Sequence, residues 1–75
     1  MPDNIQIKKR SICISGHATS VTIEDEFWNE LKNIAIKEGV STNSLIAEID
    51  KQTNGNLSSA IRLFVLRNLK QSLLQ

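Results

Sequence analysis

Residues 20 to 48, SVTIEDEFWNELKNIAIKEGVSTNSLIAE, begin with one hydrophobic period and end with another. Val21 and Ile23 alternate with Ser20 and Thr22, the two-residue period of a half-buried strand. Glu24-Asp25-Glu26 then places three acids where they complement the positive end of a helix, and Glu24 or Asp25 can cap it. Phe27, Leu31, Ile34 and Ala35 recur at helical spacing, Trp28 widens the stripe and Ile36 lies off it. Gly39 suits a left-handed helix end, and Ser41 caps a second helix whose stripe is Leu45, Ile46 and Ile49. The turn from Glu38 to Ser41 is short enough to set the two helices at an angle. One short strand and two helices do not enclose a core, so this unit is expected to need a second copy of itself.

Upstream, residues 1 to 10 show no settled period and carry Lys8, Lys9 and Arg10, so a mobile basic arm is expected there. From about 11 to 15, Ile12 and Ile14 alternate with Ser11, Cys13 and Ser15, a second strand signature. Gly16-His17 has the form of a type II′ hairpin turn. That turn would pair Ser15 with Ala18, Ile14 with Thr19, Cys13 with Ser20 and Ile12 with Val21. One face would then hold Ile12, Ile14, Thr19, Val21 and Ile23, and the other only small residues. The alternative is that the strand from 18 to 23 pairs with its counterpart in another subunit.

Downstream, Lys51 to Gly55 has loop composition and Asn56 caps a third helix from about 57 to 74. Its apolar residues, including Leu57, Ile61, Phe64, Val65, Leu66, Leu69 and Leu73, cover more than one stripe. Such a helix in so small a chain is expected either to be sandwiched in an oligomer or to dock another protein.

Composition removes several function classes. In 75 residues there is one cysteine, Cys13, and one histidine, His17, too few for a disulfide or a Cys/His zinc site within the chain. No apolar run is long enough for a signal peptide or membrane helix, which makes a cytoplasmic protein the expectation. His17 reads as a turn residue and Cys13 as a small sheet residue. Phe27 and Trp28 read as core, and Ser58 and Ser59 as first-turn residues without a neighbouring base. Asn54-Gly55-Asn56 lacks the acids of a calcium loop. No enzyme, metal or cofactor constellation is expected.

The net charge of +1 conceals a segregated distribution. Lys8, Lys9 and Arg10 make the first segment basic, and Lys51, Arg62, Arg67 and Lys70 do the same for the last. Between them seven acids from Glu24 to Asp50 face only Lys32 and Lys37. A polyanion would be met at the two ends of the chain rather than at its middle.

The order of strand, acidic helix start, Gly39 and then Val40-Ser41-Thr42-Asn43-Ser44-Leu45-Ile46 resembles the ribbon-helix-helix family of bacterial DNA-binding proteins. Lys9-Arg10-Ser11, Gly16-His17, Thr19-Ser20, Phe27-Trp28, Ala47-Glu48-Ile49-Asp50 and Asn56-Leu57-Ser58-Ser59-Ala60 extend the resemblance to a subfamily of short ribbon-helix-helix domain proteins. The resemblance implies a mainly α fold with a short β-ribbon (β-α-α), here with a preceding strand and an added C-terminal helix, assembled as an intertwined homodimer. It implies a core at the dimer centre made of Val21, Ile23, Phe27, Leu31, Ile34, Leu45, Ile46 and Ile49. It implies double-stranded DNA as partner, with Ala18, Ser20 and Thr22 facing the bases and the helix start at Ser41, Thr42 and Asn43 meeting phosphate. Transcriptional regulation follows as the expected role. Ala, Ser and Thr discriminate bases weakly, so Lys8, Lys9 and Arg10 are expected to supply phosphate or groove contacts. A higher oligomer, or an antitoxin-like protein partner on the third helix, is the alternative use of the scaffold.

Overall fold

The computed structural model describes residues 7 to 74. An antiparallel hairpin, β1 (Ile7–Ile14) and β2 (His17–Glu24), is followed by α1 (Asp25–Glu38), α2 (Thr42–Lys51) and α3 (Leu57–Leu73). The expected arm is therefore shorter at its inner end: Lys8, Lys9 and Arg10 belong to β1, and residues 1 to 6 lie outside the described part.

The two-residue loop is Ser15-Gly16 rather than Gly16-His17. Both residues have positive φ, 52° and 80°, as a type I′ turn requires, and this turn matches the right-handed twist of the strands it joins. Ile14 consequently faces His17, Cys13 faces Ala18, Ser11 faces Ser20 and Lys9 faces Thr22. Every expected partner has moved by two residues, one full period of the pleat, so the division of the hairpin into an apolar and a small-residue face survives. The type II′ expectation needs glycine in the first loop position. A serine accepting the left-handed conformation there shifts the loop.

α1 follows β2 without a loop. Glu24 occupies its N-cap position, but its side chain does not cap the helix; Asp25 and Glu26 supply the acidic first turn. At the other end Gly39 is left-handed with φ 72°, and the amides of Gly39 and Val40 close onto the carbonyls of Ile36 and Ala35 at 3.1 and 3.0 Å. Ser41 then caps α2, its Oγ accepting from the Ser44 amide at 3.0 Å. Asn56 caps α3 in the same manner, through the Ser59 amide at 3.1 Å.

The core lies between the apolar hairpin face and the three helices. It consists of Ile12, Val21, Ile23, Leu31, Ile34, Ala35, Leu45, Ile46, Ile49, Ile61 and Val65, with half-buried Ile14, Phe27, Trp28, Leu57, Ala60 and Phe64 against it. Seven of the eight residues expected at the dimer centre are buried within this single chain, and Phe27 is half-buried. The expectation of cover from a second copy counted one strand and two helices; β1 and α3 provide that cover here. α3 itself divides by face, with Leu74 just beyond its end. Ile61 and Val65 are enclosed, whereas Leu63, Leu66, Leu69, Leu73 and Leu74 remain exposed. Among the described residues no helix is long and apolar enough to cross a membrane.

Candidate nucleic-acid interface

Alternation along the hairpin sorts its side chains onto two faces, and the register determines which residues share one. Lys9, Ser11 and Cys13 of β1 stand directly opposite Thr22, Ser20 and Ala18 of β2, and all six are exposed. The three residues expected to face bases therefore lie together, in line, on an open surface. Lys9 is the one cation among these six.

The neighbouring cations go the other way. Lys8 and Arg10 are in phase with Ile12 and Ile14 and point to the helix side. Lys8 Nζ lies 3.3 Å from Asp25 Oδ2, and Arg10 Nη2 donates to Asp25 Oδ1. The Arg10 guanidinium also sits 5.1 Å from the centroid of the Trp28 ring, within cation–π range. Its side chain is only 25% exposed, so water screens these contacts only in part. Of the basic trio expected to meet phosphate, Lys9 alone shares a face with Ala18, Ser20 and Thr22. The opposite placement of Lys8 and Arg10 was legible in principle, because a strand extended upstream from Ile12 puts them in phase with the apolar residues. The acid cluster at 24 to 26 marks where their partner lies.

At the start of α2 the Ser41 hydroxyl is used locally, accepting from Ser44 N and donating to Ser44 Oγ at 2.9 Å. The Leu45 amide bonds to the Ser41 carbonyl at 3.0 Å. This leaves the backbone amides of Thr42 and Asn43 as the donors pointing out of the helix end, with Ser41 and Asn43 exposed and Thr42 half-buried. An anion approaching here meets backbone N–H groups and the positive end of the helix dipole.

A group of contacts that local sequence reading did not find joins α3 to the end of β2. Ser58 Oγ donates to the Thr22 carbonyl at 2.7 Å. Arg62 Nε and Nη2 donate to the two Glu24 carboxylate oxygens at 2.8 and 3.2 Å. The Arg62 guanidinium, together with Glu24's own backbone N–H, holds the Glu24 carboxyl below its ordinary pKa. Glu24 reads locally as a helix cap and Ser58 as a first-turn serine. With the partners 38 and 36 positions apart in sequence, nothing in either segment signals the pairing. Beside α3, a groove of about 480 Å³ opens between α2 and α3, lined in part by Ile49, Asn56, Ala60, Leu63, Phe64 and Arg67. Among the described residues no group of three metal-ligating side chains occurs.

The sequence profile of a family described as ribbon-helix-helix domain matches residues 7 to 69. No curated protein matches the chain. Among solved structures, an uncharacterized protein from Bordetella pertussis Tohama I superimposes with a TM-score of 0.79 at 28% identity. The match covers 92% of the present chain and 60% of that one, so this chain spans less than two thirds of its neighbour's length.

Proposed function

Because the chain belongs to the ribbon-helix-helix domain family, whose members are generally DNA-binding regulators, we propose that it acts as a homodimer binding double-stranded DNA and regulates transcription. The observation that carries this reading is the outer hairpin face, where Lys9 accompanies Ala18, Ser20 and Thr22 on an exposed ribbon. Pairing two β2 strands edge to edge gives a sheet in the order β1-β2-β2-β1. The two central β2 strands, about 4.8 Å apart, make the two-stranded ribbon that the roughly 12 Å wide major groove admits, and the β1 strands flank it. The central β2 strands then face base edges, and the two β1 strands bring Lys9 over the phosphate walls.

Serine, threonine and alanine reach shallowly and discriminate weakly, so the binding is semi-specific and much of its affinity comes from phosphate contacts. The start of α2 at Ser41, Thr42 and Asn43 adds backbone donors for phosphate. Fluorescence anisotropy on a labelled duplex across a salt series tests the assignment. Lys9→Ala is expected to weaken binding and to lower the salt slope by about one per protomer, whereas Arg10→Ala leaves the slope unchanged. Absence of duplex binding at low salt would overturn the DNA reading.

A second reading, a protein-interaction module of antitoxin-like type, is favoured by the exposed leucines of α3. That helix carries Arg62, Arg67 and Lys70 and no acid, so its partner would be an acidic amphipathic helix. Loss of binding to such a helix in Leu66→Ser, with duplex affinity unchanged, would assign the two activities to separate surfaces.

A further inference from the structure

The dimer proposed above joins two copies of β2, yet the ribbon of this chain has little apolar surface left to offer a second copy. Val21 and Ile23, on the inner face of β2, are already enclosed, and the outer face carries only Ala18, Ser20 and Thr22. Pairing the strands edge to edge adds backbone hydrogen bonds and buries few apolar side chains, whereas a stable dimer buries about 1,200 Å² or more in total. The remaining apolar surface lies on α3. Its Leu66, Leu69 and Leu73 are 49%, 41% and 84% exposed.

Two contacts fix where these leucines stand. With Ile14 opposite His17 across a two-residue turn, bonded and non-bonded pairs alternate along the hairpin, so the amides and carbonyls of Ala18, Ser20 and Thr22 point away from β1 along the free edge of β2. The Ser58 hydroxyl donates to the Thr22 carbonyl at 2.7 Å, taking one of its two lone pairs and leaving the other for a strand. One turn on, Arg62 binds the Glu24 carboxylate through two nitrogens. The start of α3 is thus anchored beside the open edge. Leu66, Leu69 and Leu73 follow Arg62 by four, seven and eleven positions and continue the same face of the helix beyond its contact with β2. That face carries no uncompensated charge: Arg62 is paired with Glu24, Arg67 projects from another side, and Lys70 borders the stripe where its long side chain reaches water.

A second β2 laid antiparallel and centred on Ser20, the middle of the outward-pointing run, sets its Ala18 against Thr22. Its hairpin tip then lies at the end of β2 where α3 begins. On the inner side of that tip Ile14 is only half-buried. We infer that the leucine face of α3 is the second half of the self-association surface. Leu66, Leu69 and Leu73 pack against the hairpin tip of the second copy around its Ile14, and the second copy's α3 returns the contact by symmetry. The strands set the register and the leucines supply the apolar burial. The inference rests on the β2 pairing proposed above and names the surface that makes that pairing stable.

Sedimentation equilibrium on the full chain measures the contribution of this face. Leu66→Ser combined with Leu69→Ser is expected to raise the dimer dissociation constant roughly tenfold or more, whereas Ile36→Ser, which removes an exposed apolar residue from α1, leaves it within about twofold of the parent. An unchanged constant in the double variant overturns the inference. Should that variant lose its helical circular dichroism, Leu73→Ser alone carries the test, with about a threefold rise expected and no change overturning it. Ser20→Pro separates the inference from the pairing beneath it, because the Ser20 amide points away from β1 and its loss spares the hairpin. A dimer abolished by Ser20→Pro and indifferent to the leucines keeps the ribbon pairing and removes the leucine surface. A dimer weakened by the leucine variants and indifferent to Ser20→Pro does the reverse, and a chain that stays monomeric at every concentration overturns both. Capture of a Glu/Leu amphipathic helical peptide through the same leucines, with the dimer constant unmoved by their replacement, also overturns the inference and assigns the face to a different protein.

Discussion

The two faces of the hairpin are built from the same sixteen strand residues and behave as different materials. On the helix side, Ile12, Val21 and Ile23 are enclosed, and the cations beside them, Lys8 and Arg10, are tied to Asp25. On the other side, Lys9, Ser11, Cys13, Ala18, Ser20 and Thr22 touch solvent, and the cation among them has no ion-pair partner among the described residues. Charge along a strand therefore does not act as a block. Three adjacent cations look like one basic patch, yet alternation commits two of them to ion pairs with Asp25 and leaves one facing solvent.

The largest difference between the two faces is expected when one residue is truncated from each face of β2. Ile23→Ala leaves a cavity in the core and is expected to cost about 2–5 kcal/mol, whereas Thr22→Ala next to it costs roughly 0.5 kcal/mol or less. Urea unfolding followed by circular dichroism measures both, and comparable losses would mean that the outer face is packed against something in solution.

A smaller effect comes from the end of β2, where the open face stops because α3 reaches it. Glu24 has its pKa lowered by Arg62, so its carboxylate stabilises the fold above the ordinary carboxylate range. That contribution is lost as pH falls through the lowered folded-state value. Glu24→Gln is therefore expected to be less stable than the parent at neutral pH and to converge with it in acid. Thermal midpoints across an acid series check the sign, and parallel curves would remove the ion pair from the balance.

The smallest effect lies at the hairpin tip. Ser15 holds a left-handed φ of 52° without being glycine or asparagine. Ser15→Asn supplies the residue type that a type I′ turn prefers and is expected to raise stability by about 0.5 kcal/mol. It also secures the register, because a one-residue slip at this turn would exchange the two faces. Protection of the bonded amides Thr19 and Val21 from hydrogen exchange should increase with it.

Much of the architecture was legible because its causes are local. The strand signal of residues 20 to 23, the left-handed stop at Gly39 and the caps at Ser41 and Asn56 each depend on residues within a few positions, and each stands where the pattern puts it. The hairpin is one of two pairings that alternation leaves open. Its faces emerge correctly even though its turn does not, because a shift of two residues preserves the pleat. The grouping of Ala18, Ser20 and Thr22 follows from the same period. Lys8 and Arg10 are misplaced by a pattern that starts the strand at Ser11 instead of Ile7.

Local sequence therefore specifies the set of elements and the faces they present, since periodicity and capping act over one or two turns of chain. Which surfaces those faces meet was decided only in three dimensions. Arg62 meets Glu24, Ser58 meets Thr22, and Ile61 and Val65 of α3 share one core with the strand and helix residues. Each of those two polar pairings joins segments more than thirty residues apart, and their contact is set by how the apolar faces pack together. The same packing places α3 at the edge of the very strand on which the family resemblance first rested.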